Sequence, residues 1–281
     1  MQQKKLAFIG AGNMSRSIIS GLIKSGYAKE NILAANPSTP KLDGLKAEFG
    51  IHTTQSNDEA CQFADAIVLA VKPQIMGDMC GELQKNNDLS GKLFMSIAAG
   101  LPVARLQEML GGEYPVVRIM PNTPSLLGKG MSGMYADDTV SESDRQYVDD
   151  VMNSVGETVW VDKEEGINGV IAAAGSSPAY FFLFLQNMQE EAMNMGFDKA
   201  QSRLMVQQAM LGAAEMVCNN PDLELSELRA QVTSKGGTTA EAVNTFINEG
   251  LKDIVSKSMR AAVARSDAKA KRKKRYRNNI T

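Results

Sequence analysis

The stretch Lys5–Ser15, "KLAFIGAGNMS", decides the fold class of this chain. A short apolar run ends at two glycines, and a pattern with helical spacing follows over residues 13–26. Between a strand and a helix, Gly10 allows a tight turn and Gly12 allows a phosphate group to approach the backbone. Ser15 replaces the third glycine of the G-x-G-x-x-G pattern and is still small enough for close packing. The stretch therefore predicts a dinucleotide-binding α/β domain.

Apolar runs alternate with helical patterns through the first half of the chain. Nearly continuous apolar strands separated by helices predict a mainly parallel sheet covered on both faces. The strand candidates span residues 4–10, 31–36, 66–73, 92–100 and 114–121, and the helix candidates span 41–49, 74–86 and 102–111. "GMYA" (133–136) and "ETVWV" (157–161) predict short edge strands.

After residue 162 only helical patterns remain. They span residues 165–195, 198–218, 223–232, 238–248 and 249–266. We therefore predict three segments: a Rossmann-like domain at 1–162, a helical domain at 163–268, and a basic, disordered tail at 269–281. The helical patterns are more apolar than one buried stripe requires, which favours an oligomer over a monomer with a well-buried core.

Composition excludes several classes of function. His52 is the only histidine, so a histidine-rich metal site is impossible, and we expect no metal and a surface position for His52. Three widely spaced cysteines without a signal peptide predict reduced thiols in the cytoplasm. No apolar run is expected to reach the ~18 residues of a membrane span, so we expect no membrane. The tail carries seven basic residues, but the rest of the chain is acidic and argues against nucleic acid binding.

The residues after the second strand indicate which dinucleotide binds. NAD sites usually carry an acidic residue there, whereas this chain has Asn36 and Ser38. Without a carboxylate to repel a 2′-phosphate, NADPH is favoured, and NADH stays open as an alternative. "AVKPQ" (70–74) and "SIAAG" (96–100) follow two further strands, where ligands of α/β sheets bind. Lys72 is either near the nicotinamide or phosphates, or a solvent-facing loop lysine.

The stretch "VTSKGGTTAEAV" (232–243) places two glycines and three threonines where a helix begins. Thr238 and Glu241 have the spacing of a capping box, so we expect Thr238 to cap the helix and leave the hydroxyl of Thr239 free. Unpaired N–H groups at a helix start suit an anion. An ordinary loop-to-helix junction is the alternative interpretation.

Together these motifs resemble the pyrroline-5-carboxylate reductase family. The resemblance runs through "FIGAGNM", "AVKPQ", "RIMPNTP" (118–124), "GSSPAYFF" (175–182) and "VTSKGGTTAEAV", from residue 6 to about residue 266. It implies a Rossmann domain followed by an all-α dimerisation domain, in homodimers that often assemble into decamers. It also implies NAD(P)H-dependent reduction of the cyclic imine 1-pyrroline-5-carboxylate to L-proline, the last step of proline biosynthesis.

The resemblance also implies site residues. Thr239 matches the threonine that hydrogen-bonds the ring nitrogen of the imine. The substrate carboxylate is expected at Ser234, Gly236, Gly237, Thr238 and Thr239. The nucleotide is expected at Ile9, Gly10, Ala11, Gly12, Asn13, Met14, Asn36, Asn57, Ala70, Val71, Lys72, Pro73 and Ala98. Ser38 joins this set from its position after the second strand rather than from the resemblance. The chain departs from the family at Ser177 (usually glycine), Lys235 (usually proline) and Asn168 (commonly acidic).

Other functions compete with this interpretation. A β-hydroxyacid dehydrogenase also joins a Rossmann domain to a helical one, but it needs a lysine that the segment 169–187 lacks. A non-catalytic nucleotide sensor has no use for "SKGGTT". A nucleic acid binder would depend on the basic tail alone.

Overall fold

The computed structural model describes residues 2–275. Eight strands and twelve α-helices follow one another in this part of the chain. In chain order they are β1 (Leu6–Ile9), α1 (Asn13–Lys24), β2 (Ile32–Ala35), α2 (Thr39–Phe49), β3 (His52–Thr54), α3 (Asn57–Phe63), β4 (Ala66–Leu69), α4 (Met76–Asn86), β5 (Leu93–Ser96), α5 (Val103–Leu110), β6 (Val116–Met120), β7 (Gly130–Ala136), α6 (Glu142–Asn153), β8 (Gly156–Trp160), α7 (Gly166–Val170), α8 (Ser177–Asn194), α9 (Lys199–Cys218), α10 (Leu225–Gln231), α11 (Thr238–Asn248) and α12 (Leu251–Arg275).

The strands form one sheet in the order β3-β2-β1-β4-β5-β6-β7-β8. All neighbouring strands are parallel except β6 and β7, which confirms the predicted mainly parallel sheet. The order reverses between β1 and β4, and ligands of such sheets bind beyond the carboxyl ends of the strands at that reversal. Ile9 is in register with Leu69, and Leu69 with Ser96, so the residues that follow these three strands meet at one edge.

Each central strand is buried on both faces, which explains the continuous apolar runs. In β1, Leu6 and Phe8 pack in a cluster with α1 and α6, while Ala7 and Ile9 pack in a second cluster with α4 and α5. Leu6, Ala7 and Phe8 have no exposed surface. The helices on both faces hold the sheet rigid, and the strand ends therefore provide a fixed frame for the loops.

Several sequence expectations need correction. "GMYA" belongs to β7, a seven-residue strand between β6 and β8 rather than an edge strand. The predicted helix at 165–195 contains a π-helical turn, Ile171–Gly175, between α7 and α8. Helices α3 and α6 were not predicted. His52 is exposed, as expected, and is the first residue of β3.

The chain packs as two compact units. One contains the residues up to Ser176 and those from Ala262 onward, and the other is Ser177–Ala261. The sequence boundary at residue 162 stays a prediction. Helix α12 continues to Arg275, so residues 269–275, predicted to be disordered, are helical in the structure. Residues 276–281 of the predicted tail lie outside the described residues.

The helical unit exposes many large apolar side chains. They include Phe181, Phe182, Leu183 and Leu204, each more than half exposed. The continuous helical stretch Gly166–Asn194 is the one described stretch that is long and apolar enough, by length and composition, to cross a membrane. The expectation that no run reaches this length is therefore wrong, although a single stretch of this kind is weak evidence for a membrane span.

Candidate active site

Gly10 forms the sharp turn that ends β1. Its φ of +111° is unfavourable for residues with a side chain. A Cβ at this position would lie 2.7 Å from the carbonyl oxygen of Ala70, and the Gly10 N–H donates to the Ala35 carbonyl at 2.8 Å. The turn is therefore pressed between the ends of β2 and β4, and only glycine fits there.

Helix α1 begins directly after this turn and presents an anion-binding end. Gly12 is its N-cap and supplies no side-chain acceptor, and the first turn of the twelve-residue helix contains no acidic residue. A Cβ on Gly12 would meet nothing within 4 Å, so the space above the turn is open. The buried Ser15 hydroxyl donates to the Gly10 carbonyl at 2.6 Å and fixes the loop from below. Open space and unpaired amides fit the pyrophosphate of a dinucleotide.

Asn36 connects the glycine loop to the end of β2. Its Oδ1 accepts from the Ala11 N–H at 3.3 Å, and its Nδ2 donates to the carbonyl and hydroxyl oxygens of Ser38 at 3.1 and 3.0 Å. The amide thus orders both loops and leaves no carboxylate where the adenosine ribose of a dinucleotide binds. A 2′-phosphate meets no repulsion from these two side chains.

The other predicted nucleotide residues follow β4 and β5. The Ala70 N–H donates to the Ile9 carbonyl at 2.9 Å, which holds segment 70–73 beside the glycine turn. Lys72 is an exposed residue of this loop, and Ala98 is buried just beyond β5. Asn57 begins α3 after the outer strand β3, two strands from β1 along the sheet. The structure thus gathers all of this set except Asn57 around the ends of β1, β2, β4 and β5.

Asn122 is a residue whose role the sequence interpretation missed. It is 8% exposed, its Oδ1 accepts from the Met131 N–H at 2.9 Å, and its Nδ2 donates to the Ala174 carbonyl at 3.0 Å. One amide thereby joins the loop after β6, strand β7 and the π-helical turn. The motif "RIMPNTP" contains this residue, but no local pattern indicates such distant partners.

The predicted substrate loop lies in the helical unit. The Gly237 N–H donates to the Ser234 carbonyl at 3.0 Å, and Gly236 has a φ of +71°, so Ser234–Gly237 forms a β-turn with positive φ at its third residue. Lys235 occupies the second residue and is exposed, a position where proline is common in such turns. The turn leads directly into α11.

The predicted cap of α11 is wrong in one respect. The N-cap is Gly237, without a side-chain hydrogen bond, and Thr238 is the first helical residue. Thr238 therefore lies one residue too late to form a capping box with Glu241. In the described part of the chain neither Thr238 nor Thr239 uses its exposed hydroxyl in a hydrogen bond. The first turn of α11 presents two hydroxyls and free amides to a ligand.

The structure also places Asn168 and Ser177, the two remaining departures from the family pattern. Asn168 Nδ2 donates to Asp267 at 2.7 Å, and Asn168 Oδ1 accepts from the Ser266 hydroxyl at 2.8 Å. This amide therefore ties α7 to residues 266 and 267 of α12, whereas a carboxylate at position 168 would be repelled by Asp267. Ser177 is the first residue of α8. Among residues 2–275, no three His, Cys, Asp or Glu side chains form a group suited to a metal ion.

A glycine turn, an open helix N-terminus and a doubly covered parallel sheet define the first unit as the nucleotide-binding part of an NAD(P)-dependent oxidoreductase. A family model described as "NADP oxidoreductase coenzyme F420-dependent" matches residues 5–100. A second model, "Pyrroline-5-carboxylate reductase dimerisation", matches residues 164–269.

Relatives match along nearly the whole chain. The pyrroline-5-carboxylate reductase of Vibrio alginolyticus is 55% identical, with 95% of this chain and 98% of the relative covered. A solved reductase structure from Coxiella burnetii has a TM-score of 0.92 at 37% identity, covering 96% and 99% of the two chains. The Plasmodium falciparum enzyme, solved with NADP bound, has a TM-score of 0.82 at 31% identity over the same shares. The chain belongs to the pyrroline-5-carboxylate reductase family.

Proposed function

We propose that the chain reduces 1-pyrroline-5-carboxylate to L-proline with NADPH, the last step of proline biosynthesis. Family membership supports the reaction. The geometric observation that carries the substrate assignment is the start of α11, where the turn Ser234–Gly237 precedes two hydroxyls without partners. An amino-acid-like substrate carries a carboxylate, which is the kind of group such a helix start binds.

The first unit holds the cofactor, whose reduced nicotinamide supplies the hydride. We assign the pyrophosphate to the turn and helix start at Ile9–Met14, and the 2′-phosphate side to Asn36 and Ser38. Ala70–Pro73 and Ala98 then line the other half of the dinucleotide, because β4 and β5 lie on the side of β1 opposite to β2. Asn57 stays a weaker assignment because of its distance along the sheet.

In the second unit the backbone amides of Gly236 and Gly237 and the hydroxyls of Ser234 and Thr238 are assigned to the substrate carboxylate. The Thr239 hydroxyl is assigned to the ring nitrogen. A protonated imine is already electrophilic, so the loop has mainly to orient its carbon, which lowers the barrier by several kcal/mol, up to ~7–11 in favourable cases. No acid or base besides Lys235 occurs in residues 234–239.

The reaction is tested by following NADPH absorbance after addition of pyrroline-5-carboxylate. A hydroxyacid with NADP serves as the control, because a β-hydroxyacid dehydrogenase would turn over only that pair. Oxidation of NADPH by the imine alone is expected. Turnover of the hydroxyacid alone would refute the proposed function.

The Thr239 assignment is tested by Thr239→Val, which keeps the shape and removes the hydroxyl. Since a hydrogen bond to a charged group contributes about 1.5–3 kcal/mol, we expect kcat/KM for the imine to fall by roughly 10- to 100-fold. The affinity for NADPH stays unchanged, and Thr239→Ser, which retains a hydroxyl, recovers most of the rate. An unchanged rate for the valine variant would remove Thr239 from the site.

We also propose that the enzyme works as a homodimer in the cytoplasm, with a decamer as a larger candidate assembly. The dimerisation family model and the exposed apolar helices support self-association. Sedimentation equilibrium distinguishes two chains from ten.

A further inference from the structure

A partly buried ion pair, between Arg118 and Glu164, lies beside the loop that follows β5. Arg118, on β6, is 8% exposed and shares a sheet face with Val116, which packs in the apolar cluster with α5. Its Nη1 donates to Glu164 Oε1 at 3.0 Å. Glu164 lies between β8 and α7, and its carboxylate contacts both β6 and the start of α5.

The same carboxylate oxygen completes the start of α5. The N-cap of this helix is Pro102, whose side chain offers no acceptor, and no side-chain cap bond is present from it. Glu164 Oε1 accepts the Val103 N–H at 2.9 Å, 61 residues away in sequence. A negative charge at this end also favours the helix dipole. Glu164 therefore acts as a cap supplied from a distant segment, and Arg118 holds it in place.

The capped residue closes the loop Ile97–Pro102. The loop begins at a fixed point, because the Ile97 N–H donates to the Leu69 carbonyl at 3.2 Å. It ends at Val103, whose position depends on Glu164. Gly100, with a φ of +74°, bends the backbone between these ends. Ala98 lies within the loop, on the side of β1 assigned above to the nicotinamide half of the cofactor.

We propose that Glu164 is a positioning residue for the nicotinamide half of NADPH, acting through the Val103 N–H on the loop that carries Ala98. This inference rests on the proposed cofactor site. Arg118 orients the carboxylate, and neither side chain needs to touch the cofactor.

Two double variants separate the cap from the charges. Arg118→Met with Glu164→Gln removes both charges and keeps an acceptor for Val103, whereas Arg118→Met with Glu164→Met removes the acceptor as well at similar size. Removing both partners avoids leaving one charge buried and unpaired, so both proteins should fold. Glu165→Ala, at the neighbouring exposed residue, is the matched control.

The readout is the dissociation constant of NADPH and of 2′-phospho-ADP-ribose, which lacks the nicotinamide ring. We expect the variant without an acceptor to bind NADPH roughly tenfold more weakly, since a lost hydrogen bond to a charged group has about this effect. Its affinity for 2′-phospho-ADP-ribose should match that of the unaltered protein, and so should both affinities of the control. The Gln-containing variant, which keeps the acceptor, should bind NADPH more tightly than the variant without one.

Three results would overturn the inference. The two double variants could bind NADPH with equal affinity, or the variant without an acceptor could lose affinity equally for NADPH and 2′-phospho-ADP-ribose. In the third result, only the Gln-containing variant loses affinity for NADPH. If Glu164 has only a structural role, the substitutions lower the unfolding temperature but do not change the affinity for NADPH relative to that for 2′-phospho-ADP-ribose. Because binding is measured without the imine, failure of the proposed reaction would appear separately, as absence of turnover in the unaltered enzyme.

Discussion

At the scale of single residues, Gly10 and Gly12 play different roles two positions apart. Gly10→Ala places a methyl group against the Ala70 carbonyl at a φ of +111°. We expect it to lower the free energy of unfolding by about 1–3 kcal/mol or more and to abolish NADPH binding, because the turn must move. Urea denaturation and NADPH fluorescence titration measure the two effects.

Gly12→Ala is the matched comparison. Its backbone is extended and its Cβ meets open space, so the stability should change by less than about 0.5 kcal/mol. The added methyl group nevertheless occupies the space assigned to the pyrophosphate, and NADPH affinity should fall. If Gly12→Ala binds NADPH normally, the pyrophosphate does not lie over this turn.

The sequence alone predicts the role of a residue when that role depends on its neighbours along the chain. Gly10, Gly12 and Ser15 are recognisable because a strand, a turn and a helix follow within eleven residues. Thr238 was placed one position wrong, because the spacing to Glu241 does not reveal that Gly237 is already the cap. The partners of Asn122 and Glu164 are 52 and 61 residues distant, and no periodicity encodes such contacts.

At the scale of elements, the Asn122 amide links the loop after β6, strand β7 and the π-helical turn. Asn122→Ala removes the side-chain oxygen that accepts from the Met131 N–H at 2.9 Å and the amide that donates to the Ala174 carbonyl, so the Met131 N–H loses its side-chain acceptor. Because buried polar groups without partners cost about 1–3 kcal/mol, we expect a loss of stability in that range, measured by urea denaturation. Asn86→Ala, an exposed amide on α4, should change stability by less than about 0.5 kcal/mol. Equal effects of both changes would contradict the bridging role.

Strand β7 and the π-helical turn differ from the sequence prediction for two separate physical reasons. Strand β7 contains glycines, which weaken a strand pattern, yet a Cβ at Gly133 would lie 2.6 Å from Val170, so packing requires glycine there. The π-helical turn Ile171–Gly175 shifts the helical register by one residue without any change in apolar composition. Strands β1, β2, β4 and β5 were predicted well because burial on both faces makes them uniformly apolar.

At the scale of the whole molecule, buried neutral acids set the response to alkali. Burial raises the pKa of Cys80 from its ordinary value of 9.0 to about 12, and burial also raises the pKa values of Cys61, Tyr27 and Tyr147. These groups ionise at lower pH in the unfolded chain than in the folded protein. Their contribution to the free energy of unfolding is therefore complete below pH 9 and is lost as the pH rises from 9 towards 12. Each group that ionises only on unfolding lowers stability by about 1.4 kcal/mol per pH unit.

We therefore expect the unfolding temperature to be constant near neutral pH and to fall above about pH 9, as followed by circular dichroism. Cys80→Ala should reduce the steepness of this fall, although its small cavity lowers stability at every pH. A stability that stays constant up to pH 11 would contradict this account.

The exposed apolar side chains on the helices of the second unit are expected to form the interface between copies of the chain. Phe182 is 67% exposed on α8, beside Phe181 and Leu183, which are 54% and 61% exposed. Since burial of one such side chain contributes about 1.5–3 kcal/mol, the burial of several of them supports a stable interface between two copies. Phe182→Asp places a charge in this surface, and we expect light scattering after size exclusion to report the mass of a single chain.

Gln146→Asp is the control, because it adds the same charge on α6 of the first unit and should leave the mass of the oligomer unchanged. If the Phe182→Asp protein keeps the oligomer mass, the interface lies away from this part of α8, and other exposed apolar side chains, such as Leu204 on α9, become the candidates.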